Sequence, residues 1–249
     1  LLELERHAML MYTSCGWFFD DISGLETAQV IQYAGRALQI ANRMLGDALE
    51  PRFMELIEKA KSNLPEHDNG RRIYEKFVRP SVVDLAAVGA HYAMRSLFRE
   101  SAEQTSLYCF SAFQEFFKSA QIGRTKLVIG CVRITSTISW EEQRFCFGAI
   151  HWGDHNVSGC LRSCQSADEL EAQFVQEVFD RFNRGEFPAS LEALEKSMGA
   201  TCYSLRNLFR DDQRHILSII LESNLANVEG VYRQVYEDNA PLLLFLKDI

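Results

Sequence analysis

Apolar and polar positions alternate along this chain with two periods, and the change between them divides it. Residues 3–12 carry apolar positions at helical spacing and read as the end of a helix that starts upstream. Ser23 and Glu26 then have the spacing of a capping box. Val30, Ile31, Ala34, Leu38, Ala41 and Leu45 follow at steps of three and four, the stripe of a long helix that Gly46 ends. Phe53 to Ala60 predicts a shorter helix, and Pro65 to Gly70 a polar break. From Pro80-Ser81 another helix is expected, with Val82, Leu85, Ala86, Gly89, Ala93 and Leu97 on one side.

After Thr105 the period changes. Leu107 to Ser111 is apolar and aromatic. Lys126 to Ile138 is rich in β-branched residues, with Val128, Val132, Ile134 and Ile138 on one face of a strand. Arg144 to Trp152 alternates through Phe145, Phe147 and Ala149 and predicts a second strand, paired antiparallel across Ser139–Gln143. Helical spacing returns at Ser166, which forms a capping box with Glu169 ahead of Leu170, Phe174, Val178 and Phe182. Pro188 opens a helix through Leu191, Leu194 and Met198. A long helix is expected from about Asp211 towards Asp238, and Pro241 precedes a short final one. The fold class expected is mainly α, strictly α+β: a helical bundle (1–104 and 166–249) with a small antiparallel β-sheet inserted at 105–165.

Composition narrows the partners. The 249 residues carry a net charge of -8, which disfavours nucleic acid and anionic membrane surfaces. No apolar run approaches the ~20 residues of a transmembrane helix. The opening segment is amphipathic and charged, unlike a signal peptide. The chain starts without Met, inside a helical pattern, and is read as a fragment of a longer protein. Seven cysteines at irregular spacing fit reduced thiols in a cytoplasmic protein better than a secreted disulfide framework.

Two stretches stand out for chemistry. Tyr12 to Gly24 places Trp17, Phe18 and Phe19 beside Asp20 and Asp21 in one interhelical break. Such rings either plug the loop into the core or face a ligand. A sugar suits them, because its C–H face stacks while its hydroxyls take hydrogen bonds. Ser14, Trp17, Phe19, Asp20 and Asp21 are the candidate substrate-binding residues. Adjacent carboxylates seldom face one substrate atom, so Asp20-Asp21 is not a glycosidase pair. The plainer role for either is negative charge ahead of a helix N-terminus. The second stretch, His151 to Cys160, holds His151, Asp154, His155 and Asn156 in a Gly-bounded polar loop. A His–Asp proton relay there competes with ordinary turn chemistry. Cys160 and Cys164 with the two histidines fit no common zinc spacing, so neither metal nor cofactor is expected.

Three stretches carry a family resemblance: His7 to Thr27, Phe147 to Gly159, and Thr201 to Arg214. Together they resemble an uncharacterised C-terminal domain of bacterial proteins related to glycoside hydrolase family 57, the α-amylase and α-mannosidase relatives. The resemblance implies an N-terminal α/β barrel holding the catalytic Glu and Asp, outside this chain. It also implies a following helical region that brings a Ser-x-Trp-type loop to the active site. Ser14, Gly16, Trp17 and Phe19 look like that loop. Cys15-Gly16 stands where an Asp commonly precedes the Trp, and Asp20 would take that role. The implied function is a non-catalytic domain lining a saccharide cleft, partnered by the barrel and by an oligo- or polysaccharide. The alternatives are a domain that docks on the barrel without touching sugar, and an independent hydrolase built on His151, Asp154 and His155.

Overall fold

The structure, a computed structural model, describes residues 1–46, 49–99, 102–199 and 202–247. The chain divides into two compact units, Leu1–Val83 and Asp84–Ile249.

The first unit is helical. It contains α1 (Leu2–Leu10), α2 (Leu25–Leu45), α3 (Leu49–Ile57) and the single turn α4 (Gly70–Ile73). A π-helical turn at Tyr74–Val78 continues α4. The apolar stripe of α2 turns Ile31, Ala34, Ala37 and Ala41 inward. Ile31 joins Met54, Ile73, Tyr74 and Val78 in a core that Ile22, Phe53 and Ile57 flank. Gly46 ends α2 at φ 89°, as expected of a glycine past a helix end. The N-terminus of α2 differs from its expected form. Gly24 is the cap residue and makes no side-chain capping bond. Asp21 has taken both Ser23 donors, its Oδ1 accepting from the amide at 2.7 Å and the hydroxyl at 2.5 Å.

The second unit corrects the expected fold class. Its centre is an antiparallel sheet in strand order β1-β2-β3-β4-β5-β6, each strand paired with its neighbour in sequence. The strands are β1 (Gln104–Leu107), β2 (Phe110–Ile122), β3 (Thr125–Ser136), β4 (Glu142–Gly153), β5 (Asn156–Cys164) and β6 (Cys202–Tyr203). This is no small insert in a helical bundle, for the sheet is the middle layer and helices cover both faces.

On one face lies α5 (Leu85–Ser96), capped by Asp84, whose side chain accepts from Ala87 N. Tyr92 of α5 meets Phe147 edge to face at 5.7 Å. On the other face lie α6 (Ala172–Asn183) and α7 (Phe187–Met198). They bury Val175, Val178, Phe179, Phe182, Leu194 and Met198 against Leu127, Ile129, Ile150 and four strand cysteines. Burial on both faces explains the near-continuous apolar runs of β3 and β4. The predicted pairing of these two strands is present, with Cys131 opposite Cys146 and Ile129 opposite Gly148.

Three further expectations change. The Ser166–Glu169 capping box exists, but it opens a 3₁₀ turn at Ala167–Glu169, and α6 begins only at Ala172. Pro80 sits in a 3₁₀ turn ahead of α5 rather than starting it. Helix α8 runs unbroken through Pro241, from Arg210 to Lys247. In β2, a bulge between Gln114 and Phe116 leaves Glu115 as the extra residue. It aims the Glu115 carboxylate at Arg133 Nε (3.1 Å) and Arg144 Nε (3.0 Å).

Candidate functional site

The aromatic loop is part of the first unit. After α1 the chain makes a 3₁₀ turn at Ser14–Gly16 and presents its rings outward. Trp17 is 74% exposed, Phe18 70% and Phe19 46%. Phe18 and Phe19 touch each other edge to face at 5.2 Å. Ser14 and Asp20 are exposed.

Asp21 does the opposite of its neighbours and turns to the protein. Its carboxylate accepts from Ser23, from the Ser62 hydroxyl at 3.0 Å, and from the Asn63 amide at 2.5 Å. The main-chain carbonyl of Asp20 accepts from Asn63 Nδ2 at 2.7 Å. Two loops far apart in sequence are thus laced together behind the rings. The donors, Ser23 foremost, hold the Asp21 carboxyl down at about 2. Of the five residues singled out in this stretch, Ser14, Trp17, Phe19 and Asp20 are exposed, and Asp21 turns inward to fix the loop.

The second stretch forms the β4–β5 turn. Asp154 adopts φ 50°, a conformation Asp tolerates better than most residues, and Gly153 precedes it at φ 107°. His151 Nε2 lies 2.9 Å from the Asp154 carbonyl oxygen. The His151 ring packs on Phe98 at 4.8 Å, and the Asp154 carboxylate faces Arg124 at 3.7 Å. Two clefts flank this turn. One, about 390 Å³, is lined by His151, Asp154, Phe98, Arg124, Ser223 and Asn224. The other, about 680 Å³, is lined by His155, Asn156, Trp152, Ser158, Arg206 and Gln213. His151 and His155 therefore open into different clefts, and the turn does not bring both histidines to one point.

Residues 1–209 match a family described as a domain of unknown function, DUF3536. The chain belongs to the DUF3536 family. No curated protein and no solved structure gives a match. The DUF3536 match takes in both stretches above and the whole sheet, and it stops one residue before α8. Among the described residues, no helix of this DUF3536 chain is long and apolar enough to cross a membrane.

Inside the DUF3536 match the structure also assembles a group that the sequence pattern left scattered. Cys131, Cys146 and Cys164, from β3, β4 and β5, bring their Sγ atoms within 4.8 Å of one another, and all three are buried. Cys131 and Cys146 Sγ stand 3.0 Å apart. Their contact and their burial push the Cys146 thiol up, and burial pushes Cys164 up to about 12. A hairpin turning at Ser139–Gln143, as predicted, would set Cys131 opposite His151. The observed turn lies closer to β3, which ends at Ser136 while β4 starts at Glu142, and this register sets Cys131 opposite Cys146. Cys164 needs β5, whose Asn, Ser and Gly content reads as a loop.

Proposed function

We propose that this chain is a non-catalytic domain of a carbohydrate-active enzyme related to glycoside hydrolase family 57. In this reading Ser14, Trp17, Phe19 and Asp20 line the saccharide cleft of a catalytic barrel belonging to the same polypeptide. The ligand is an α-glucan or a related saccharide. The observation that carries the reading is the exposure of the Trp17 ring, 74%, on a loop whose backbone Asp21 fixes. Exposed aromatic faces on a soluble surface have no packing role to fill, and a pre-ordered ring platform with a carboxylate beside it is what a pyranose requires. The family resemblance of the same residues supports it.

Trp17→Ala tests the proposal. An exposed ring loses little on truncation, so the melting temperature of this chain should stay nearly unchanged, within roughly 0.5 kcal/mol of stability. Maltooligosaccharide titration into the protein carrying its proposed barrel should show binding weakened by about 1–3 kcal/mol, the range for stacking on flat ligands. Unchanged saccharide affinity with weaker barrel association would make the loop a docking face and overturn the reading. A strongly destabilised variant would place Trp17 in a packed environment and overturn it too.

A further inference from the structure

We propose that Cys131, Cys146 and Cys164 form a three-thiolate site for a soft monovalent metal ion, Cu(I). The argument begins with number and geometry. Three sulfurs converge from three adjacent strands, and the group contains no His, Asp or Glu ligand. Thiolate sulfur selects soft ions. Zinc in structural sites asks for four ligands, whereas three sulfurs alone make a trigonal site. With metal–sulfur bonds of about 2.3 Å, a trigonal ion needs sulfurs about 4 Å apart. The three sulfurs lie within 4.8 Å of one another, close to that spacing, and the 3.0 Å Cys131–Cys146 contact would open by side-chain rotation.

The surroundings answer the charge. Binding breaks three S–H bonds, forms three Cu–S bonds and releases three protons to solvent. No electron moves, because copper enters as Cu(I). Three thiolates around one monovalent ion leave two net negative charges. Arg162 is the register partner of Cys146 and starts on the sheet face that carries the thiols. Arg144, the partner of Cys164, starts there too, but its guanidinium is engaged by Glu115 and Glu142. Arg162 Nε is buried with no hydrogen-bond partner, a donor awaiting a negative group. Glu169 acts against this, but its carboxylate is occupied by the amides of Gln165 and Ser166 at 2.5 and 3.4 Å. An entry path exists. A polar cavity of about 190 Å³, lined by Glu142, Gln143, Arg144, Ser163, Cys164 and Gln165, reaches the outermost of the three thiols.

The test uses the reduced protein with Cys15→Ser and Cys109→Ser, which removes an exposed thiol and a half-buried one outside the cluster. Anaerobic titration with Cu(I) against a chromogenic chelator should give one bound equivalent, unmoved by excess zinc. X-ray absorption of the loaded protein should count three sulfur neighbours and no nitrogen or oxygen. Cys164→Ser should cost at least about a hundredfold in affinity. Arg162→Gln, which spares every ligand, should cost about 10–100-fold, as loss of an outer-shell partner does elsewhere. Should Cys164→Ser not fold, the sulfur count and Arg162→Gln still decide. Absence of bound copper, a two-sulfur site, a mixed sulfur–nitrogen shell, displacement by zinc, or a Cys131–Cys146 disulfide in protein prepared under reducing conditions would each overturn the proposal.

Discussion

The Asp21 carboxylate accepts from four donors: the amide and hydroxyl of Ser23, the hydroxyl of Ser62 and the amide of Asn63. All four favour the charged form, so its folded value of about 2 lies below the ordinary 3.8. A carboxyl held down in this way contributes stability above its ordinary value. That contribution fades as pH falls from there through about 2. Asp21→Asn should therefore lower the melting temperature at neutral pH, and the gap from wild type should shrink as pH drops below 3.8. Melting curves across that range, with an NMR titration of the Asp21 carboxyl, check it. The sequence shows two equivalent-looking acids. What separates them is Ser62 and Asn63, which lie some forty positions away and which no local pattern connects to the loop. The rings, in contrast, stood out at once, because three consecutive aromatics between helices are conspicuous wherever they point.

At the level of the element, β3 depends on one position without a side chain. A Cβ on Gly130 would lie 2.6 Å from the Phe116 carbonyl oxygen and 2.7 Å from Phe147 Cζ. The first is backbone of the neighbouring strand and cannot step aside. Gly130→Ala should destabilise by about 1–3 kcal/mol. In urea the unfolding midpoint should fall with the slope unchanged, since the same surface is exposed on unfolding. Strands β3 and β4 were legible because β-branched and aromatic residues fill both faces. Strand β5 was not, because its small and polar residues, Gly159 packed beneath Met94 of α5 among them, carry no alternating apolar signal. A Cβ on Gly159 would come within 2.2 Å of Met94 Cε, and a run of Asn, Ser and Gly looks like a loop in isolation. Strand β2 hid for another reason: its bulge at Glu115 breaks the alternation that marks a strand. With these two strands unread, the sheet shrank to an insert. Helix α8 was cut short because Pro241 normally stops a helix, and here it does not.

Within the second unit, His91 ties α5 to the start of α8. Its ring is fully buried and stacks on Phe209 at 4.2 Å. Phe209 N donates to Nδ1 at 3.2 Å, so the neutral ring carries its proton on Nε2. Nε2 lies 3.0 Å from Asp212 Oδ2 but off the line of a hydrogen bond. Burial outweighs that carboxylate and holds His91 down at about 4, against an ordinary 6.5. The unfolded ring therefore takes up a proton first, and acid favours unfolding. Stability should fall as pH is lowered from 6.5 to about 4, by an amount on the order of 1–3 kcal/mol. His91→Gln, which keeps an acceptor for Phe209 N, should remove that slope from denaturation curves taken across the window. The bulge in β2 has a consequence at this scale too. Beyond Gln114, whose amide still donates to the Glu103 carbonyl at 2.7 Å, β2 runs on as an outer strand to which β1 adds no partner. A straight edge of that length offers a second copy of the chain a ready row of amides and carbonyls. The kink that aims Glu115 at two arginines also bends this row, and so makes the edge a poor template for aggregation by strand addition.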